Sequence, residues 1–341
     1  MATLCLPGGD TLKEQKKKPS LSFGNPAFKY NFDICLVAVF LLCAAFFQNG
    51  VAALIQTAVC VSVSCFCEYF SFRFILSAKK PLSDLDAVKN GLLISLLLPA
   101  SAPLYIGAAA SCFACLVCKL PFGSGKNAPF VPSAAAVCFS SLCFPQYVFA
   151  CPMQSQNLFE AVFSDSESFL KGTSLLDMLS QGTGLRLNTF SVTALLSGSY
   201  PSAAGTACVL GLAAAAIYLA LRKRKTLLVS AGFVLVCAIY AFVFPRIASG
   251  RLISVIMELC AGSLLFTAML VAPDPATAPE STLKMLLYGA TAGIICMLLR
   301  TFLKNIDAPC LAVMIVNAAS PVFLNRKKKQ VQNREKGRVG A

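Results

Sequence analysis

Two short phrases decide how this chain folds: Pro99-Ala100-Ser101-Ala102-Pro103 in its first half and Pro275-Ala276-Thr277-Ala278-Pro279 in its second. Each follows an apolar run. Each is succeeded by another apolar run and then by a Lys-Asn and an Ala-Pro, as Lys126-Asn127-Ala128-Pro129 and as Lys304-Asn305-Ile306-Asp307-Ala308-Pro309. A further apolar stretch follows both copies. Proline removes a backbone donor and bends or ends a helix. A duplicated membrane unit with helices interrupted in this way is how many transport folds hold polar groups at mid-depth.

The composition agrees with a membrane setting. Of 341 residues, 57% are hydrophobic and 13% are charged, against about 25% charged in ordinary soluble domains. Several runs are long enough to cross a hydrocarbon layer of about 30 Å. The net charge of +14 does not point to nucleic acid, because its basic residues crowd the two tails and a few short loops. Such clusters orient a membrane protein. There is no histidine among the residues, which removes His-ligated haem, His metal sites and the usual proton relay. Most of the 17 cysteines lie inside apolar runs, where a free thiol acts as a small hydrophobe. Cys112, Cys115 and Cys118 share one helical face, but three thiols without a fourth ligand make a poor cluster site. No metal site and no catalytic side chain is expected.

Apolar periodicity predicts ten spans, at about 33–48, 51–76, 84–98, 103–120, 130–150, 192–221, 226–245, 251–272, 283–303 and 308–324. Ten crossings leave both tails on one side. The segments sharing that side carry most of the 29 Lys and Arg residues, which assigns it to the cytoplasm. The third span then pairs with the eighth, the fourth with the ninth and the fifth with the tenth. An odd number of crossings separates each pair, so the halves run in opposite senses. The expected fold is therefore an all-α polytopic membrane protein of two inverted five-helix repeats with broken helices. Its parts are a basic cytoplasmic tail at 1–32, a first repeat at 33–151, an outer-face loop at 152–191, a second repeat at 192–324 and a second basic tail at 325–341.

Few residues in such a chain carry charge at depth. Asp274 lies between Pro273 and Pro275, neither of which donates a backbone hydrogen bond, so it serves either as the cap of a helix end or as an ion or cofactor contact at a broken helix. Glu258 falls about two turns into the eighth span and Glu68 late in the second; each is an intramembrane group or sits close enough to an interface to stay wet. Asp33 and Asp86 open spans one and three, where N-capping is the expected role. Asn90 and Asn317 lie in or near apolar runs and suit either helix packing or a pore contact. Asp274, Glu258, Asp86 and Asn317 are the ion-pathway candidates.

Several ordered motifs resemble a known family. Thr267 to Pro279, with Ala272-Pro273-Asp274-Pro275, looks like the Ala-Thr-Asp-Pro-Val-Thr-Ser-Pro element of the D subunit of the Rnf ferredoxin:NAD oxidoreductase. Met314-Ile315-Val316-Asn317-Ala318-Ala319-Ser320-Pro321 is similar to the closing Met-Asn-Ala-x-x-Pro of that family. Asp86 to Pro99, and the Lys119-to-Asn127 stretch with Phe122-Gly123 and Gly125, resemble two of its first-half motifs. The same resemblance extends to the B subunit of the sodium-pumping NADH:quinone reductase.

The resemblance implies an FMN joined by a phosphoester to a hydroxyl of the outer loop, attached by a dedicated flavin transferase. Gly172-Thr173-Ser174-Leu175-Leu176 places Ser174 on the modified position and Thr173 one residue before it. Ser168 stands where the transferase prefers an Asp. A second register, Asp177 to Thr183, restores that Asp spacing and puts Thr183 on the site. Lys119 and Asn127 join these as implied cofactor-binding residues, and a second, non-covalent flavin has room in the scheme. The implied function is an integral subunit, within a translocase complex, of a redox-driven Na⁺ or H⁺ pump. Its partners are other Rnf-type membrane and peripheral subunits, the flavin transferase and membrane lipids. The expected location is the cell membrane, with loop 152–191 outside. Two alternatives use the same architecture: a non-redox channel or transporter of the urea- and ammonium-channel type, and a scaffold subunit that has lost its flavin.

Overall fold

The computed structural model describes residues 26–71, 73, 85–122, 128–150, 202–206, 208–222, 224–246, 250–279, 281–303 and 307–319. Within them every regular element is helical and no strand occurs. The first half contains α1 (Pro26–Asn49), α2 (Val51–Phe70), α3 (Asp86–Leu97), α4 (Leu104–Phe122), α5 (Pro132–Cys143) and the short α6 (Pro145–Val148). The second contains α7 (Val209–Arg222), α8 (Arg224–Val243), α9 (Arg251–Cys260), α10 (Leu264–Val271), α11 (Thr282–Phe302) and α12 (Ala308–Ala318).

Five of these helices, α1, α2, α4, α8 and α11, are long and apolar enough to cross a membrane; the bent pair α9–α10, with 69° between its arms, makes a sixth. The chain is a membrane protein. Large apolar side chains point outward along these helices, among them Phe47, Phe66, Leu235, Leu252 and Phe302, as a lipid-facing surface requires. Of the ten spans expected, four are represented by short helices. α3, α5, α7 and α12 have 12, 12, 14 and 11 residues, and a 12-residue helix covers only about 18 Å. Prolines account for part of the shortening. Leu98, ahead of Pro99, is extended at ψ 148°, as the residue before a proline prefers; Pro132 and Pro309 sit in the first turns of α5 and α12, where a missing N–H costs nothing. α1 starts at Pro26, seven residues ahead of the apolar run that marks it in the sequence.

A helix that stops inside lipid must satisfy its last carbonyls within the protein. The C-terminus of α3 does so with a segment from the other half of the chain. Ala204 N–H donates to Leu98 O at 3.2 Å and Gly205 N–H to Leu96 O at 2.8 Å. Only glycine fits at 205, because a Cβ there would lie 2.6 Å from the Leu96 Cβ. The two long helices α8 and α11 approach in the same backbone-to-backbone manner. A Cβ on Gly289 would lie 2.1 Å from Val229 O, and one on Gly232 2.6 Å from Leu286 O. Small residues at such a crossing let dispersion forces act where lipid supplies no hydrophobic drive. Around these contacts lies a buried core shared by α1, α3, α8, α10, α11 and α12, including Ile34, Leu41, Leu93, Phe233, Phe266 and Tyr288.

Candidate functional site

Ionisable side chains buried in this apolar body are costly unless paired, so their partners mark where the molecule accepts that cost. Asp86 and Lys89 occupy the first turn of α3. The Lys89 ammonium is 2.9 Å from Asp86 Oδ1 and 2.9 Å from Asp274 Oδ2. Lys119, at the end of α4, is 2.7 Å from Asp86 Oδ2 and 2.8 Å from Glu68 Oε2 at the end of α2. The result is a continuous chain of alternating sign, Glu68–Lys119–Asp86–Lys89–Asp274. It begins on α2, passes through α4 and α3, and ends on the turn that follows α10 in the second half. Both lysine side chains are almost fully enclosed, at 5% and 7% exposure, while Asp86 at 18% is the member closest to the surface.

Asp274 is held rigidly. Its Oδ1 accepts the Ala276 N–H at 2.9 Å, and its carbonyl accepts Thr277 N–H at 3.1 Å and Ala278 N–H at 2.9 Å. The flanking Pro273 carbonyl accepts the Tyr30 hydroxyl at 3.2 Å, and the Lys89 ammonium stands 5.9 Å from the centroid of the Tyr30 ring, within cation–π range. One Asp274 oxygen organises the turn and the other meets the Lys89 ammonium. Asp86 caps nothing. Among the described residues no side chain caps the start of α3, and both Asp86 oxygens are used in ion pairs. Asp33 is not a cap either, since α1 begins two turns earlier. It is buried within the helix, accepting from Tyr218 Oη at 3.3 Å and Arg222 Nη2 at 3.2 Å on α7.

Two π-helical turns lead into this network. Ala114–Lys119 ends on Lys119, and Thr267–Val271 ends three residues before Asp274. A π-turn rotates the side chains that follow it relative to a regular helix, and such turns concentrate at functional sites.

Glu258 belongs to a separate cluster. It is buried at 2% exposure, with Arg300 Nη1 at 3.4 Å and Arg246 Nε at 3.3 Å. Arg300 also donates to Glu258 O at 2.8 Å and Ala261 O at 2.6 Å, so its guanidinium caps α9 where that helix breaks. Arg300 lies near the far end of α11 from Thr282, roughly 27 Å along the axis at 1.5 Å per residue. Nearby, the Ser263 hydroxyl donates to Asp307. Asn317 takes no part in either cluster; its Oδ1 accepts the Tyr288 hydroxyl at 2.5 Å, joining α12 to α11. Asn90 is buried on α3. Cys112 Sγ lies 3.5 Å from Cys67 Sγ, and Cys115 bonds the Ser64 carbonyl, so these thiols join α4 to α2. Thr173, Ser174, Thr183 and Asn127, together with the loop at 152–191, lie outside the described residues.

Four of the residues that matter here do not stand out in sequence. Lys89, Arg246 and Arg300 register there only as charges that orient the chain, and Lys119 as one more such charge and an implied cofactor contact. The spacing of Asp86 and Lys89, three apart on one helical face, is the one signal that could have found the first of them. The partners of Arg300 are not legible, because they lie 39 and 42 residues away in sequence.

Residues 15–332 match the NQR2, RnfD, RnfE family. The chain belongs to that family. Among similar proteins, the D subunit of the ion-translocating oxidoreductase complex of Shewanella loihica is 28% identical over 265 residues, covering 71% of this chain and 75% of that protein. The D subunit of the Na(+)-translocating ferredoxin:NAD(+) oxidoreductase complex of Acetobacterium woodii is 24% identical, covering 85% and 86%. The corresponding D subunit of Shewanella denitrificans is 28% identical, covering 84% and 88%. Family membership and the apolar helices together identify an integral membrane member of this group.

Proposed function

We propose that this chain is the membrane-embedded D-type subunit of an Rnf-type redox-driven pump, and that the Glu68–Lys119–Asp86–Lys89–Asp274 chain forms part of its ion pathway. The observation that carries the ion-pathway reading is the cross-half pairing of Lys89 with Asp274 at 2.9 Å. A protein holds five alternating charges inside a lipid-facing body only at considerable desolvation cost. Placing the last of them on a proline-flanked turn after a helix gives an ion a fixed carboxylate to meet. The shared phrases 99–103 and 275–279 support an inverted repeat that brings α3 and the turn after α10 together at the interface between the halves. Charge placement supports cytoplasmic tails. The relatives' names supply the wider assembly, an oxidoreductase complex whose other subunits are the expected partners.

The flavin belongs to the same proposal. The FMN is placed on Ser174 or Thr173, with Thr183 as the other register, and a flavin transferase of the host forms the phosphoester. A bound flavin supplies one- and two-electron transfer, and the polypeptide supplies placement and field. This chain's own described residues act on the ion side: the Ala276 N–H and the Tyr30–Pro273 bond fix the Asp274 carboxylate, while Lys89 and Lys119 balance its charge and that of Asp86 and Glu68. For Lys119 the geometry favours this electrostatic role over a cofactor contact, since both its partners are carboxylates.

The covalent flavin is tested on a denaturing gel. Chain produced in a host with the flavin transferase is expected to fluoresce in the gel, and the Thr173→Ala/Ser174→Ala double variant to lose that signal. Retention of the signal in that variant but not in Thr183→Ala moves the attachment to the second register. A dark wild-type band removes the covalent cofactor and favours the scaffold alternative.

A further inference from the structure

Lys89 is shared evenly between two carboxylates that differ in kind. Asp86 is on its own helix, one turn away, and Asp274 is on the opposite half of the molecule; the ammonium stands 2.9 Å from each. The Asp274 carboxylate cannot follow a departing partner, because its Oδ1 and its own carbonyl are tied to the backbone of the 274–278 turn. The lysine can move, since its ammonium rides on a flexible four-carbon stem with three rotatable donors. If Lys89 turns away from Asp274 it keeps Asp86, so it never becomes an unpaired buried cation. Asp274 then holds a bare carboxylate oxygen in an enclosed site, and a buried uncompensated charge draws in a replacement cation.

We infer that Lys89 is a tethered stand-in for the transported ion: its ammonium occupies, at Asp274 Oδ2, the position that a monovalent cation takes, and the two exchange there. This deepens the ion-pathway reading above and rests on it. It assigns Lys89 as the residue that sets how tightly Asp274 accepts its ion and that couples occupancy to the contact between the halves, because the incoming cation releases α3 from the turn after α10. Lys119 has the same bridging geometry between Glu68 and Asp86, but all three of those residues lie in the first half. Exchange there leaves the contact between the halves unchanged.

The cation is Na⁺ or H⁺, and the test separates them. Purified full-length protein in detergent is unfolded thermally in two arms: increasing NaCl against choline chloride at fixed pH, and decreasing pH in choline chloride alone. Wild-type protein is expected to be stabilised in one arm, which names the ion. In Lys89→Gln the half-stabilising Na⁺ concentration falls, or the half-stabilising pH rises, by about tenfold or about one unit, because a competing charge a few ångströms away is gone. Asp274→Asn abolishes the response. If Lys89→Gln does not fold, Lys89→Arg replaces it: a fixed guanidinium fork competes more strongly, and the ion midpoint moves several-fold the other way. A wild-type response that these Lys89 variants leave unmoved, or that Asp274→Asn retains, overturns the assignment of Lys89 and leaves the wider ion-pathway proposal standing. A wild-type protein that responds in neither arm overturns both.

Discussion

Lys119 shows how much one residue holds in this molecule. Its ammonium lies 2.8 Å from Glu68 and 2.7 Å from Asp86, linking the ends of α2 and α4 to the start of α3. Removing one partner from a buried pair leaves charge without compensation and costs about 3–5 kcal/mol. Lys119→Met is therefore expected to lower the thermal midpoint of the purified protein sharply, and Lys119→Arg to recover most of the loss. A Met variant as stable as wild type would mean that water reaches Glu68 and Asp86 freely. None of this is readable from the position of Lys119 alone. In sequence it is the basic residue at the end of an apolar run, which orientation by charge explains without any partner. The acidic residues are more legible: a carboxylate within or beside an apolar stretch is rare enough to single out Asp86, Glu68, Glu258 and Asp274. Their pairing is not, because the Lys89–Asp274 contact joins residues 185 apart.

At the scale of the elements, the short helix α3 depends on a stretch of backbone that no local pattern places beside it. Its final carbonyls are closed by Ala204 and Gly205, and the Gly205 position leaves no space for a Cβ. Gly205→Ala is expected to destabilise the protein by on the order of 1–3 kcal/mol through overpacking against Leu96, and to loosen the α3 terminus enough to raise amide exchange at Leu97 and Leu98. A smaller effect at Gly211, where a Cβ would be 3.2 Å from the end of the Leu41 side chain, gives the comparison, since that end can yield whereas the Leu96 Cβ, 2.6 Å from a Cβ at 205, is fixed to its backbone. Glycines in apolar runs announce close packing in general. Which glycine meets which backbone is a tertiary matter.

Across the whole molecule, the proposed orientation has its own check. A membrane-impermeant thiol reagent applied to intact cells is expected to label a cysteine introduced at Ser174 and to spare one introduced in either basic tail; labelling of the tails alone would reverse the orientation and place the proposed flavin segment on the cytoplasmic side. The order of residues is enough to establish that this chain is helical, lives in a membrane and belongs with the NQR2, RnfD, RnfE family, because apolar run length and ordered short motifs need no knowledge of contacts. It also locates the break after α3, since proline acts on the residues next to it, but not the bend between α9 and α10, where Ala261-Gly262-Ser263 holds no proline. Which charges meet is settled in three dimensions alone. A buried ion pair is specified by spatial proximity, and residues that neutralise one another across two halves of a chain leave no periodicity to read. That is why Lys89, an ordinary basic residue in sequence, emerges only in the fold as the bridge between Asp86 and Asp274.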